Sequence, residues 1–295
     1  MQYADAFVPF GATVAFEDGT SVAVADTGER DKPALVLIHG LQDEADSWQR
    51  LLPMLRDRFR IIAPDLPGHG RSDKRARRYT IPFLADAVLQ TMTRLGVGQA
   101  VLAGNSLGAM IAEYIALTQT PRVSRLVLIS GTLAITKQPP SGNSGLMDRL
   151  FADRAERAYF ARLRADPDAA YDTLRPYYAD LDALPEGQRA FLRMRVNERV
   201  NDEAQRRAAF SIRSNMAWFF VRNLVTIRRK IAHLKVPTQI IWGADDVVFP
   251  TANGPARKAL QPNADYVALP DCGHLPQQER PDDVAAVLRG TLRSR

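Results

Sequence analysis

Residues 34–38, 59–63, 100–104, 126–130 and 238–242 form short runs that are apolar at nearly every position. A strand with one face in water alternates apolar and polar side chains. A run without alternation is buried on both faces, which calls for a parallel sheet held between two layers of helices. Residues 264–269 make a weaker run of the same kind, and residues 81–95, 251–260 and 281–292 have helical spacing between the runs. Trp48, Leu51, Leu52 and Leu55 share that spacing, but Pro53 argues against one unbroken helix there. Ahead of the first run, alternation on either side of Glu17-Asp18-Gly19-Thr20 reads as a hairpin turning at Asp-Gly. The expected fold class is α/β, a mostly parallel, doubly wound sheet.

The strand–helix alternation stops between residues 133 and 235. There the pattern is helical throughout, rich in arginine and aromatic residues, with Pro139-Pro140 near its start and Val236-Pro237 at its end. A helical block between two parallel strands sits above their carboxyl ends, where open α/β sheets bind ligands. The expected organisation is a core from 1–132 and 236–295, with a helical cap at 133–235 over an active site.

Gly104-Asn105-Ser106-Leu107-Gly108 joins the run at 100–104 to an almost wholly apolar helical stretch. A serine at a sharp strand-to-helix turn presents its hydroxyl at the sheet edge, and glycines two residues either side let strand and helix pass closely. A second glycine–serine cluster, Gly142-Asn143-Ser144-Gly145, follows prolines instead of a strand and reads as loop.

A serine hydroxyl needs a base to take its proton and an acid to orient that base. Of the four histidines, His274 follows the last strand-like run and is the expected base; His233, in the linker leaving the cap, reads as ordinary packing. Asp245 and Asp246 follow the run at 238–242, with Asp246 the expected acid. The order Ser106, Asp246, His274 then puts each residue just after a strand. The N–H groups of Leu41 and Leu107 are the expected oxyanion hole.

These motifs resemble the α/β-hydrolase superfamily along both parts of the core. His39-Gly40 is similar to the family's oxyanion turn, and Pro64 through Ser72 to its following loop. Gly104 through Gly108 resembles the nucleophile elbow, and Gly273-His274 the base segment. Gly243-x-x-Asp246-x-x-x-Pro250 resembles the acid segment, and that spacing selects Asp246 over Asp245. A serine nucleophile separates the chain from the dehalogenases and epoxide hydrolases, which carry aspartate there. Gly-Asn-Ser-x-Gly also occurs in hydrolases that cut carbon–carbon bonds of ring-cleavage products. Gln42-Asp43-Glu44 after His-Gly, and Leu275-Pro276 after the histidine, depart from that branch and fit carboxylesterases and lipases better.

The resemblance implies a serine esterase for small or medium carboxylic esters, acting through an acyl-enzyme without metal or cofactor. The alternatives are a hydrolase of vinylogous diketones, a proton-transfer or perhydrolase side activity, and a non-catalytic binding protein. Substrate contacts are expected from His39 and Asn105, and from Trp218 and Phe219 in the most apolar stretch of the cap; Tyr177-Tyr178 are further candidates for its inner face.

Composition narrows the setting. The one cysteine, Cys272, allows no internal disulfide and suits a reducing cytoplasm. No apolar run approaches the length of a membrane span and the amino terminus does not read as a signal peptide, so no membrane partner is expected. The net charge of +6 reads as a solvated surface, because arginines alternate with acids in Asp148-Arg149 and from Asp153 to Arg157. No nucleic-acid-binding pattern is present, so the expected partner is a small ester.

Overall fold

The computed structural model describes residues 11–135 and 158–290. The Ser144 cluster and the charge pairs between Asp148 and Arg157 lie outside the described residues. The leading hairpin forms as its alternation requires, β1 (Gly11–Ala15) against β2 (Ser21–Asp26). Gly19 has φ 77°, and the Asp18 carboxylate accepts the Thr20 N–H at 2.8 Å to close the turn.

The continuous runs become β3 (Ala34–Ile38), β4 (Arg60–Pro64), β5 (Ala100–Asn105), β6 (Val123–Ile129), β7 (Thr238–Gly243) and β8 (Asp265–Leu269). They form an eight-stranded sheet in the order β1-β2-β4-β3-β5-β6-β7-β8, parallel from β4 through β8. Alternate residues of β3 feed opposite layers. Ala34, Val36 and Ile38 join one core, Leu35 and Leu37 the other, and all five are buried. This two-sided burial is why the strand has no polar alternation.

The region around Trp48 differs from a single helix. A 3₁₀ turn, Ala45–Trp48, is followed by α1 (Leu52–Leu55), with Pro53 in its first turn, where its missing N–H costs nothing. α2 (Ile81–Arg94) and α3 (Leu107–Thr118) cover one face of the sheet.

From β3 the chain steps outward to β4, and from β5 it steps the opposite way to β6. The reversal opens a crevice at the carboxyl ends of β3 and β5, the place where sheets of this type bind ligands. Between β6 and β7 the regular elements among the described residues are helices, including α4 (Pro167–Asp172), α5 (Glu186–Asn201) and α6 (Glu203–Ala232). A small core of Tyr171, Tyr178, Leu192 and Val196 packs inside this insertion. α7 (Asn253–Leu260), α8 (Pro276–Glu279) and α9 (Pro281–Arg289) complete the layers.

Candidate active site

Ser106 sits directly on the end of β5, with φ 54° and ψ −115°. Few non-glycine residues hold such a backbone, and its cost of about 1–3 kcal/mol must be met by the surroundings. The Ser106 N–H donates to Ile129 O at 2.9 Å and its carbonyl accepts from Met110 N–H at 3.2 Å. The flanking glycines have no room for a side chain. A Cβ on Gly104 would lie 2.2 Å from Gly108 O, and one on Gly108 would lie 2.0 Å from Ile38 O. Ser106 itself is half-buried between fully buried neighbours.

Positive φ recurs at three other non-glycine residues among those described: Gln42, Ser130 and Asp271. They follow β3, β6 and β8 within a few residues. The strained backbone is therefore gathered on the carboxyl edge, in the loops that surround Ser106.

Two of those loops carry the other candidates. His274 Nδ1 is 2.8 Å from Asp246 Oδ2, with both side chains buried. The other Asp246 oxygen accepts the N–H groups of Val248 and Phe249, each at 2.9 Å, so the carboxylate cannot rotate away. Asp245 is exposed and bonds the Cys272 backbone instead, tying the two loops together. The carboxylate that faces His274 is the one selected by spacing to Pro250.

Gly40 lies against the elbow, where a Cβ on it would be 3.5 Å from Ser106 Cβ. Leu41 follows it, beside the crevice. Leu107 is the first residue of α3, so its N–H has no acceptor within the helix and carries the positive end of the helix dipole.

Two of the expected substrate contacts, His39 and Asn105, are engaged by protein groups. His39 is fully buried: its Nδ1–H donates to Gly40 O at 2.7 Å, and Nε2 accepts the Leu66 N–H at 2.8 Å. Burial holds it neutral, with its pKa below the usual value, and neither nitrogen is left for a ligand. Asn105 is also buried; its Nδ2 donates to Ile129 O at 3.3 Å and His274 O at 3.0 Å. It joins the elbow to the His274 loop. Trp218 is 64% exposed to solvent. Phe219 packs edge-to-face on Tyr114, two turns along α3 from Ser106. Aromatic spacing alone could not tell which side of α6 would meet the core. His233, read as ordinary packing, is instead exposed at the end of α6.

Contacts invisible in the sequence hold this edge together. The His274 N–H donates to Tyr177 O at 2.8 Å, and the Tyr177 ring lies 6.0 Å from the imidazole. Tyr178 is buried and donates its hydroxyl hydrogen to Gln278 Oε1 at 2.6 Å. Glu279 accepts from Gly273 N–H at 2.9 Å and Ala179 N–H at 2.8 Å. The insertion thus grips the His274 loop by its backbone. It also grips the loop after β3. Arg195 and Arg199 of α5 both bond the buried Glu44, each at 2.7 Å, and Arg199 reaches Asp43 at 3.0 Å.

The sequence model of the family described as alpha/beta hydrolase fold matches residues 33–281, which take in both halves of the core and the insertion. The chain belongs to that family. A pimeloyl-[acyl-carrier protein] methyl ester esterase from Aromatoleum aromaticum is 28% identical over 268 residues, covering 89% of this chain and 99% of that protein. The dihydrolipoyllysine-residue acetyltransferase component of the acetoin cleaving system from Pseudomonas putida is 30% identical over 269 residues. That match covers 90% of this chain but only 65% of the relative's length. Among solved structures, the 2-hydroxy-6-oxo-6-phenylhexa-2,4-dienoate hydrolase of Rhodococcus sp. strain RHA1 superposes with a TM-score of 0.76 at 22% identity, covering 95% of this chain and 98% of that one. The matched family model and the mostly parallel eight-stranded sheet agree on the α/β-hydrolase fold.

Proposed function

We propose that this α/β-hydrolase cleaves carboxylic esters through an acyl-enzyme formed on Ser106. The observation that carries the reading is the buried Asp246–His274 hydrogen bond, on the same sheet edge as a serine held in a strained turn. Asp246 fixes the tautomer with hydrogen on Nδ1, which leaves Nε2 as a lone-pair base for the Ser106 hydroxyl. Ser106 Oγ attacks the ester carbonyl as His274 takes its proton. Negative charge on the carbonyl oxygen meets the N–H groups of Leu107 and Leu41. His274 returns the proton to the departing alcohol, and a water deprotonated by the same imidazole releases the acid. The helical insertion acts as the cap, shaping the crevice through Tyr177 and the loop held by Arg195 and Arg199.

The test is labelling with a fluorophosphonate, followed by turnover of p-nitrophenyl esters of graded chain length beside a vinylogous diketone. Stoichiometric modification of Ser106, absent in Ser106→Ala, with ester turnover is the expected result. Labelling with turnover of the diketone alone would replace ester cleavage by carbon–carbon cleavage on the same residues. No labelling and no turnover would leave a binding protein and end the proposal.

A further inference from the structure

α6 has two apolar faces, and the core uses only one. Inward, Ala208, Ala209, Ile212, Ile227 and Ile231 are buried. Outward, Phe210, Trp218, Val221 and Val225 are 53%, 64%, 80% and 79% exposed. Their spacing of eight, three and four residues puts all four on one side of the helix, within about 80° of arc at 100° per residue. An apolar helix face in water is an interaction surface unless something covers it.

The charges on the same helix indicate what that something is. α6 carries seven basic side chains and one acidic one, hence +6, as large as the formal net charge of the whole chain. At 100° per residue, Arg213 falls on one flank of the stripe and Arg222 on the other. Arg228, Arg229 and Lys230 follow it at the carboxyl end. Among the described residues none of these five forms an ion pair, whereas Arg207 pairs with Glu203. On α6 an acid stands beside arginines only in the first turns, where Glu203 pairs with Arg207.

We propose that α6 docks the protein on an anionic lipid surface. The helix would lie in the plane of the membrane, with Phe210, Trp218, Val221 and Val225 entering the acyl boundary. Arg213 and Arg222 would extend sideways to the phosphates. The helix lies on the membrane and does not cross it; no described helix is long and apolar enough to span one. A protein partner would supply carboxylates at fixed points, but basic residues on both flanks and one end suit a continuous anionic plane. A nucleic acid would match the arginines and leave the apolar stripe in water.

The tryptophans supply the probe. Trp48 and Trp242 are fully buried, and Trp218 is exposed. The full chain is titrated with vesicles of phosphatidylcholine alone and of phosphatidylcholine with 30% phosphatidylglycerol, following Trp218 emission and co-sedimentation. The expected result is a blue shift and sedimentation with anionic vesicles only, weakened in 0.5 M salt. Arg213→Gln/Arg222→Gln should lower partitioning about 30-fold, since each surface cation is worth about 1 kcal/mol, or fivefold. Trp218→Ser/Val221→Ser should abolish binding with an unchanged melting temperature. Absence of binding overturns the proposal. So does binding that survives Trp218→Ser/Val221→Ser, which would mean attraction to any polyanion. A blue-shifted Trp218 without lipid, or a concentration-dependent dimer lost in that variant, also overturns it, because the stripe is then covered by this chain or a second copy. None of these readouts depends on ester turnover.

Discussion

Replacing Glu113 by glutamine preserves its shape and removes its charge at a place that cannot tolerate the loss. Glu113 of α3 and Arg257 of α7 are ion-paired and both fully buried. The second Glu113 oxygen accepts from Thr132 Oγ1 at 2.9 Å and from Leu133 N–H at 2.6 Å, where the chain leaves β6 for the insertion. Arg257 donates to Gln261 Oε1 at 2.8 Å. Gln261 in turn donates to Leu234 O at 3.2 Å and Val236 O at 3.1 Å, where the chain returns. Glutamine can keep one acceptor oxygen toward Thr132 and Leu133. Its NH₂ then opposes the Arg257 N–H, and the guanidinium is left buried without a counter-charge. Breaking a buried pair in this way costs about 3–5 kcal/mol. With an unfolding entropy of roughly 2.1 cal/mol/K per residue, a 295-residue chain loses about 6 °C of Tm for roughly 4 kcal/mol. Thermal and urea unfolding by circular dichroism measure it, with an unchanged m-value showing that the denatured state is the same. Glu113→Gln/Arg257→Met removes the orphaned charge and should regain more than half of the loss. A fall below about 2 °C in the single variant, or a double variant less stable than the single, would refute the reasoning.

Other perturbations test the site. Asp246→Asn should lower kcat about 10⁴-fold by losing the productive tautomer, while the exposed Asp245→Asn changes it little; a larger loss at Asp245 would reverse the assignment. Arg199→Met frees Asp43 and one side of Glu44, and should lower kcat about 10- to 100-fold by misplacing the Leu41 N–H. Fluorophosphonate labelling of Ser106 would still reach completion in that variant, at a slower rate. The pH dependence of stability follows from His39 and His69, both held neutral by burial, with the His69 pKa near 3. Below an ordinary histidine pKa of about 6.5 the unfolded chain takes up protons that the native state refuses. Each contribution is therefore complete above that pH and drains away as pH falls, for His69 by about 1.4 kcal/mol per unit. Melting curves from pH 7 to 4.5 should show this loss, and His69→Leu should make it shallower; an unchanged slope would exclude the mechanism.

The frame of the molecule was readable because burial on both faces leaves an unbroken apolar run. The strand at 34–38 has the predicted bounds, and the runs at 59–63 and 238–242 are within a residue of theirs. β6 begins at Val123, ahead of the predicted 126, because Ser124 and Arg125 lie near the start of the strand and are only partly covered. Asp246 is preferred to Asp245 through the resemblance of its spacing to Pro250 to the family's acid segment, and in the structure it is the carboxylate that His274 meets. The clamp of Arg195 and Arg199 on Glu44 spans about 150 residues of sequence, and nothing local marks it. The partners of His39 and Asn105 are hidden for a related reason. Polar residues beside a crevice look available until their partners, Leu66 N–H and His274 O, are known.

The network around Glu113 and Gln261 has a consequence for how such a chain can diversify. Its bonds to the insertion end on Leu133 N–H, Leu234 O and Val236 O, which are main-chain atoms. Every residue type except proline at 133 offers the same groups, so the two junctions are indifferent to the side chains between them. A foreign helical segment spliced between these anchor points would meet an unchanged socket. Selectivity could then drift, provided the new segment kept cations in the places of Arg195 and Arg199 and a carbonyl in the place of Tyr177 O, which hold the loops beneath.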